Sequence, residues 1–228
     1  MAIKKKSTKD STRQVLTDEI YESIKTMLMD HLIQPGERVS IDNLARKMKV
    51  SQTPIREALA RLESDELVIR KPLTGYSATP VLTPSQLVEL YEFRFLIEPR
   101  AIENATKVLT VEGEEQLKAE LATAKKIPTG STYSSYRSMS EHDARFHQLI
   151  CQLSGNIFIE SAFLKSHCHL HLFRLNPTTS ATQKKALKEH GEIVKAMLSR
   201  DPKAARMAMV SHLEGSRDRM WPFVFKTN

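Results

Sequence analysis

Val50-Ser51-Gln52-Thr53-Pro54-Ile55-Arg56-Glu57-Ala58-Leu59 is the stretch on which the reading of this chain turns. Val50-Ser51 reads as a tight turn into a helix. Ser51 is placed to cap that helix, and Pro54 falls in its first turn, where a missing N–H does no harm. Ile55, Leu59 and Leu62 recur at i, i+4 and i+7 and so share an inward face. Gln52, Thr53 and Arg56 lie opposite them, in the N-terminal turns. A helix buried on one side and polar at its N-terminal end suits the DNA major groove, with terminal N–H groups facing phosphate. Arg56 can grip a guanine with both guanidinium arms, and Gln52 can pair with an adenine.

The flanking sequence completes a motif. Upstream, a short helix opens at Ser40 and carries Ile41, Leu44, Ala45 and Met48 inward. Before it, the pattern predicts a helix over Thr17 to Ile33, with Thr17 as N-cap and a stripe of Ile20, Ile24, Met27, Leu28 and Leu32; Pro35-Gly36 stops it. Downstream, Leu67-Val68-Ile69 and Tyr76 to Thr79 are short β-like segments around a Pro72-Leu73-Thr74-Gly75 turn. Three helices followed by a small hairpin is the order of a winged helix-turn-helix, over residues 16–80. Arg38, Arg46, Lys47 and Lys71 are suitably placed to meet backbone phosphates. Residues 1–15 are polar and rich in lysine (Lys4, Lys5, Lys6, Lys9). They read as a disordered basic tail with no apolar core of a secretory leader.

The segments from Pro35-Gly36-Glu37-Arg38 through Leu44-Ala45, Ser51 to Leu59 and Leu62-Glu63 to Gly75 resemble the head of GntR-superfamily regulators. The resemblance implies a dimer on a palindromic operator in double-stranded DNA, with Thr53, Arg56 and the wing tip at Gly75 contacting DNA; Ser51, at the start of the same helix, is a further candidate contact. The chain departs from the family at Gln52, where arginine is usual, and at Thr74, where the wing often carries a basic residue.

Residues 81–84 form a linker, and residues 85–222 read as an all-α bundle. Thr83-Pro84-Ser85-Gln86 has the pattern of a capping box with proline at the first helical position. Helical periods then run in about six segments, with breaks near Leu109-Thr110, Pro128 to Ser131, Gly155-Asn156, Asn176-Pro177 and Asp201-Pro202. Pro99 lies inside the first segment and should bend it, because it cannot bond the Phe95 carbonyl. Asp143 and His147 stand at i, i+4 on one face. His190 shares a face with Leu187, Val194 and Met197, and His212 with Ala205 and Met209. Three histidines and a carboxylate aimed into a bundle fit zinc, nickel or a similar divalent ion, with water or an organic acid completing the sphere. His167, His169 and His171 alternate along one segment and read as packing or exposed residues. An anionic effector calls for an arginine with a planar fork, for which Arg94, Arg145 and Arg174 are candidates.

Arg94-x-x-x-Glu98-Pro99, Asp143-x-x-Phe146-His147, Gly155-Asn156, Glu189-His190, Asp201, Ala205 and His212 together resemble the FCD sensor domain of the FadR branch. Six segments resemble its shorter, VanR-like subgroup. That resemblance implies a regulator, usually a repressor, released from DNA by a small organic acid bound near the metal.

Bulk properties fit. Of 228 residues, 40% are hydrophobic and 27% charged, which suits a folded chain long enough for two domains. The formal charge, 34 − 27 = +7, suits a polyanionic partner. Cys151 and Cys168 have no metal-like spacing and read as reduced thiols of a cytoplasmic protein. No apolar run approaches the length of a membrane span. A metal-dependent hydrolase and a non-specific nucleic-acid binder are the competing classes. Against the first, four protein ligands crowd a catalytic ion, and no general base accompanies them.

Overall fold

The computed structural model describes residues 8–124, 127–128, 132–175 and 179–225, and the chain divides into two compact units, Met1–Pro80 and Val81–Asn228. In the first, α1 (Thr8–Met29), α2 (Ile41–Met48) and α3 (Gln52–Ser64) accompany a three-stranded antiparallel sheet of β1 (Arg38–Val39), β2 (Val68–Lys71) and β3 (Gly75–Ala78). The sheet order is β1-β3-β2, with Val39 opposite Tyr76 and Ile69 opposite Ser77. Ile24, Leu28, Ile55, Ala58, Leu59 and Leu62 are fully buried between α1 and α3. Each buried branched side chain contributes roughly 1.5–3 kcal/mol.

Three local features differ from expectation. First, α1 begins at Thr8, so the basic tail expected over residues 1–15 is helical from there; residues 1–7 lie outside the described residues. No glycine or proline separates Thr8 from Met29, so nothing breaks the helix. Thr17 therefore sits inside α1 rather than capping it, and its hydroxyl donates to Glu57 Oε2 at 3.1 Å. Second, α1 ends at Met29 and His31 takes a left-handed conformation (φ 54°), which turns Leu32 out to 69% exposure. Third, Ser51 occupies the N-cap position of α3 but makes no side-chain capping bond. By contrast, the Ser40 hydroxyl accepts from Asn43 N and does cap α2.

The second unit contains α4 (Pro84–Lys107), α5 (Val111–Thr123), α6 (Tyr133–Leu153), α7 (Ile157–Lys165), α8 (Cys168–Phe173), α9 (Ser180–Leu198) and α10 (Pro202–Val224). Side-chain caps open most of them: Thr83 with the expected capping box, Thr110, Asn156, Thr179 and Asp201. Among the described residues the seven segments exceed the expected six because residues 157–173 are two helices, divided where His167 adopts φ 42°. α4 runs through Pro99 and packs mainly against α10 and α6. Ile102, Leu117, Phe146, Ile150, Ile193, Met197, Met209 and Leu213 make one apolar core. Cys151 and Cys168 are buried free thiols. Among the described residues no helix is long and apolar enough to cross a membrane.

Candidate functional sites: an exposed helix end and a buried histidine cluster

In the first unit, Ser51, Gln52, Thr53 and Arg56 are all exposed at the N-terminal end of α3. They do not stand independently. Gln52 Nε2 donates to Asp42 Oδ1 of α2 at 2.5 Å, and Arg56 Nη2 donates to Gln52 Oε1 at 3.1 Å. The amide of Gln52 is thereby engaged at both ends. Asp42 is a participant that the sequence reading missed. Arg46 is exposed on α2, where it donates to Asn43 Oδ1 at 2.6 Å. Arg38 and Lys71 are exposed on β1 and β2. Gly75 ends the wing turn at φ +86°, a conformation that side chains resist, with Leu73 fully exposed at its tip.

In the second unit, α6 contributes Asp143 and His147, α9 contributes His190 and α10 contributes His212. One ligand atom from each lies within 4.8 Å of all the others. The proton positions follow from their neighbours. His147 Nδ1 lies 2.5 Å from Glu98 Oε2, and His212 Nδ1 lies 2.8 Å from Glu189 Oε2. An ionised carboxylate can only accept, so both Nδ1 atoms carry protons. Burial pushes His147 down to about 3 and His212 down to about 4, so both rings are neutral and their Nε2 atoms carry lone pairs. Those two lone pairs face each other at 3.2 Å.

His190 repeats the pattern through an intermediary. Its Nδ1 lies 3.1 Å from His142 Nε2, and His142 Nδ1 lies 2.8 Å from Glu120 Oε1. Burial keeps His142 neutral, so its Nδ1 donates to Glu120 and its Nε2 accepts from His190. His190 Nε2 is left buried with no hydrogen-bond partner, 3.4 Å from Asp143 Oδ1. Phe146 stacks on this ring at 4.1 Å between centroids and fixes its plane.

Asp143 Oδ2 accepts from His169 Nδ1 at 2.7 Å. Burial disfavours charge on His169, yet Cys168 and Asp143 raise it to about 10. His169 thus departs from the expected ordinary packing residue. The other two alternating histidines, His167 and His171, are only partly buried. Three imidazole lone pairs and a carboxylate oxygen therefore face one centre with no donor among them. Left alone, such a group repels itself; a cation satisfies all four atoms. The residues fit a divalent metal.

The carboxylates behind the cluster are held ionised. Burial opposes charge on Glu98, but Arg94 and His147 keep its carboxyl below the usual range. Arg94 Nε donates to Glu98 Oε1 at 2.5 Å. Burial likewise opposes charge on Glu189, which His212 and Arg219 bring down to about 2. Arg219 forks onto Glu189 through two bonds of 2.7 Å. Gly215 makes room for that fork: a Cβ there would lie 3.0 Å from Arg219 Nη1 and 3.2 Å from Glu189 Oε1.

Of the three candidate effector arginines, Arg94 alone joins the wall of the cluster. Arg145 is on the exposed side of α6, bonded to Glu120 at 3.0 and 3.1 Å. Arg174 is buried, and burial lowers it to about 10. A cavity of about 40 Å³ adjoins the cluster, with Asp143, His212, Gln183 and Arg219 among the residues lining it. None of Arg94, Arg145 and Arg174 lines it. Glu98, Glu120, His142, His169, Glu189, Gln183 and Arg219 were not in the sequence-derived site. The partial signal was Glu98 and Glu189 inside the FCD-like motifs.

Comparison with known proteins agrees with this division. Residues 89–215 match the FCD domain family, and residues 16–76 match the bacterial regulatory proteins of the gntR family. An uncharacterized HTH-type transcriptional regulator of Bacillus subtilis, YdhC, is 29% identical over 85% of this chain and 86% of its own. The Uxu operon transcriptional regulator of Escherichia coli is 27% identical over 89% of this chain and 87% of its own. The fold is shared with Escherichia coli McbR/YncC, at TM-score 0.67 and 19% identity, over 91% of this chain and 97% of that one.

Proposed function

The chain belongs to the FCD-domain family and is a GntR-type, DNA-binding transcription regulator rather than an enzyme, and we propose that it is a metal-dependent repressor released by a small organic acid. One observation carries the metal: the four mutually facing acceptor atoms of Asp143, His147, His190 and His212. Three nitrogens and one oxygen suit zinc or nickel. When bound, the ion supplies a Lewis-acidic position that a carboxylate can occupy. Glu98, His142 and Glu189 hold the three rings with Nε2 turned to the centre. Arg94 keeps Glu98 charged, and the apolar core around Phe146 excludes water.

At the DNA, Arg56 and Thr53 read base edges in the major groove, while Arg38, Arg46, Ser51, Lys71 and the Gly75 wing engage the backbone. A homodimer, paired through the long α4, reads a palindrome because two-fold symmetry in the protein demands it in the site. Taking α7 and α8 as the halves of one interrupted helix, the bundle has six, and we place the chain in the shorter, VanR-like subgroup of the FadR branch. Its place of work is the cytoplasm, with the DNA. Elemental analysis of chelator-free protein, together with operator selection from random DNA with and without candidate acids, tests the reading. One ion per subunit and an operator weakened by an acid support it; metal-free protein that refuses zinc and nickel, or an operator no acid affects, overturns it.

A further inference from the structure

Resting on that reading of the bundle as an effector site, we infer that Gln183 selects a short monocarboxylate carrying a neutral hydroxyl or carboxamide, and rejects a dicarboxylate. Gln183 stands in the first turn of α9 and is 3% exposed. Neither its Nε2 nor its Oε1 has a hydrogen-bond partner. A buried amide with both functions unmet is costly, and the cavity it lines is where a partner can come from. Other polar groups lining that cavity are engaged. Ser216 Oγ bonds the Tyr91 hydroxyl at 2.8 Å, Thr182 Oγ1 bonds within the α9 cap, and Arg219 is spent on Glu189.

The lining of the cavity therefore differs in chemistry along α9, where Gln183 stands seven residues, about two helical turns, before His190 of the cluster. Asp143 and His212 present the metal cluster, which takes the carboxylate. Gln183 offers one donor pair and one acceptor, in a lining that also holds the apolar Leu172, Phe173 and Met220. A second carboxylate there would lose its water without gaining an uncommitted cation, because the charge of Arg219 is already neutralised at two bonds. A neutral group that both donates and accepts meets the amide without that loss. A space of about 40 Å³ suits a short acid.

Four three-carbon acids separate these chemistries: propionate, 3-hydroxypropionate, malonamate and malonate. Each is titrated by calorimetry into zinc-loaded full-length protein and into Gln183→Leu, with Gln183→Met, of the same length, as the second variant should the first not fold. At least one of 3-hydroxypropionate and malonamate should bind about tenfold more tightly than propionate, the scale of a gained hydrogen-bond pair, with malonate the weakest. In the variant the favoured acid should fall to the affinity of propionate, while propionate itself changes little. Malonate binding more tightly than malonamate, or a preference that survives loss of the amide, overturns the assignment to Gln183. Acids that all bind alike leave the effector reading standing and remove this one. Failure of all four to bind removes both.

Discussion

His142 contributes no atom to the ligand set, yet it decides which nitrogen of His190 faces the centre. Its Nε2 takes the His190 Nδ1 proton at 3.1 Å, and its own proton goes to Glu120 at 2.8 Å. Without that acceptor the two tautomers of His190 approach parity and its ring can turn. Partners of this kind typically contribute 10–100-fold to metal affinity. His142→Ala should therefore weaken zinc binding by roughly that factor while keeping all four ligands, as read by competition with a chromophoric chelator. An unchanged affinity would show that Phe146 alone orients His190. Gly215→Ala probes the same principle from the other side. Its new methyl meets the Arg219–Glu189 fork at 3.0 and 3.2 Å, so the carboxylate behind His212 must shift. A drop in zinc affinity smaller than that of His142→Ala is expected, since a flexible arginine tip can give way; the same competition assay reads it.

At the scale of elements, the N-terminal end of α3 is the proposed DNA-reading surface, and α2 braces it through Asp42. On that proposal Arg56→Ala removes a base contact and should cost about 1–3 kcal/mol against the selected operator, with specificity relaxed at one position per half-site. Fluorescence anisotropy on selected and scrambled duplexes measures both effects; equal affinity of parent and variant for the operator would place recognition elsewhere. Gln52, legible as an adenine reader from its type alone, is tied by Asp42 and Arg56, so its amide has a fixed sense. That constraint links α2 to α3, and no periodicity could reveal it.

The elements that the sequence did make legible rest on local signals. The Ser40 cap, Pro54 in a first turn, the wing turn ending at Gly75 and the Thr83–Gln86 capping box each depend on a few adjacent residues. The misses lack such signals. β1 is two residues long and exists only because β3 lies beside it. The break between α7 and α8 sits at a histidine with φ 42°, a conformation usually announced by glycine or asparagine. That Asp143, His147, His190 and His212 share one cluster was legible because i, i+4 spacing and apolar stripes orient them. Glu120, His169 and Arg219 were not, because their partners lie on other helices.

For the whole molecule, two compact units and, among the described residues, one buried cluster that could hold a cation imply two separable responses. If metal occupies that cluster as proposed, stripping it uncovers four facing acceptors in the second unit alone. A chelator should lower the melting temperature of the bundle while the helix-turn-helix unit melts as before. Calorimetry that shows both transitions moving equally would mean the units melt as one. The stronger test concerns function. A ligand can shift the DNA affinity of the head only if it binds the DNA-competent and incompetent arrangements unequally. Linkage then makes the effect mutual: if an acid weakens operator binding by some factor, operator must weaken acid binding by the same factor. Coupling of 1–3 kcal/mol, typical of such systems, corresponds to roughly 5–150-fold. Metal-loaded protein titrated with operator at several acid concentrations, and with acid at saturating operator, gives both factors from one preparation. Equal factors that vanish together in His190→Ala would place the coupling at the metal cluster. Unequal equilibrium factors are thermodynamically barred for one effector site. They would require the acid to act at a second site, such as on the head itself, and repression released through the bundle would then be wrong.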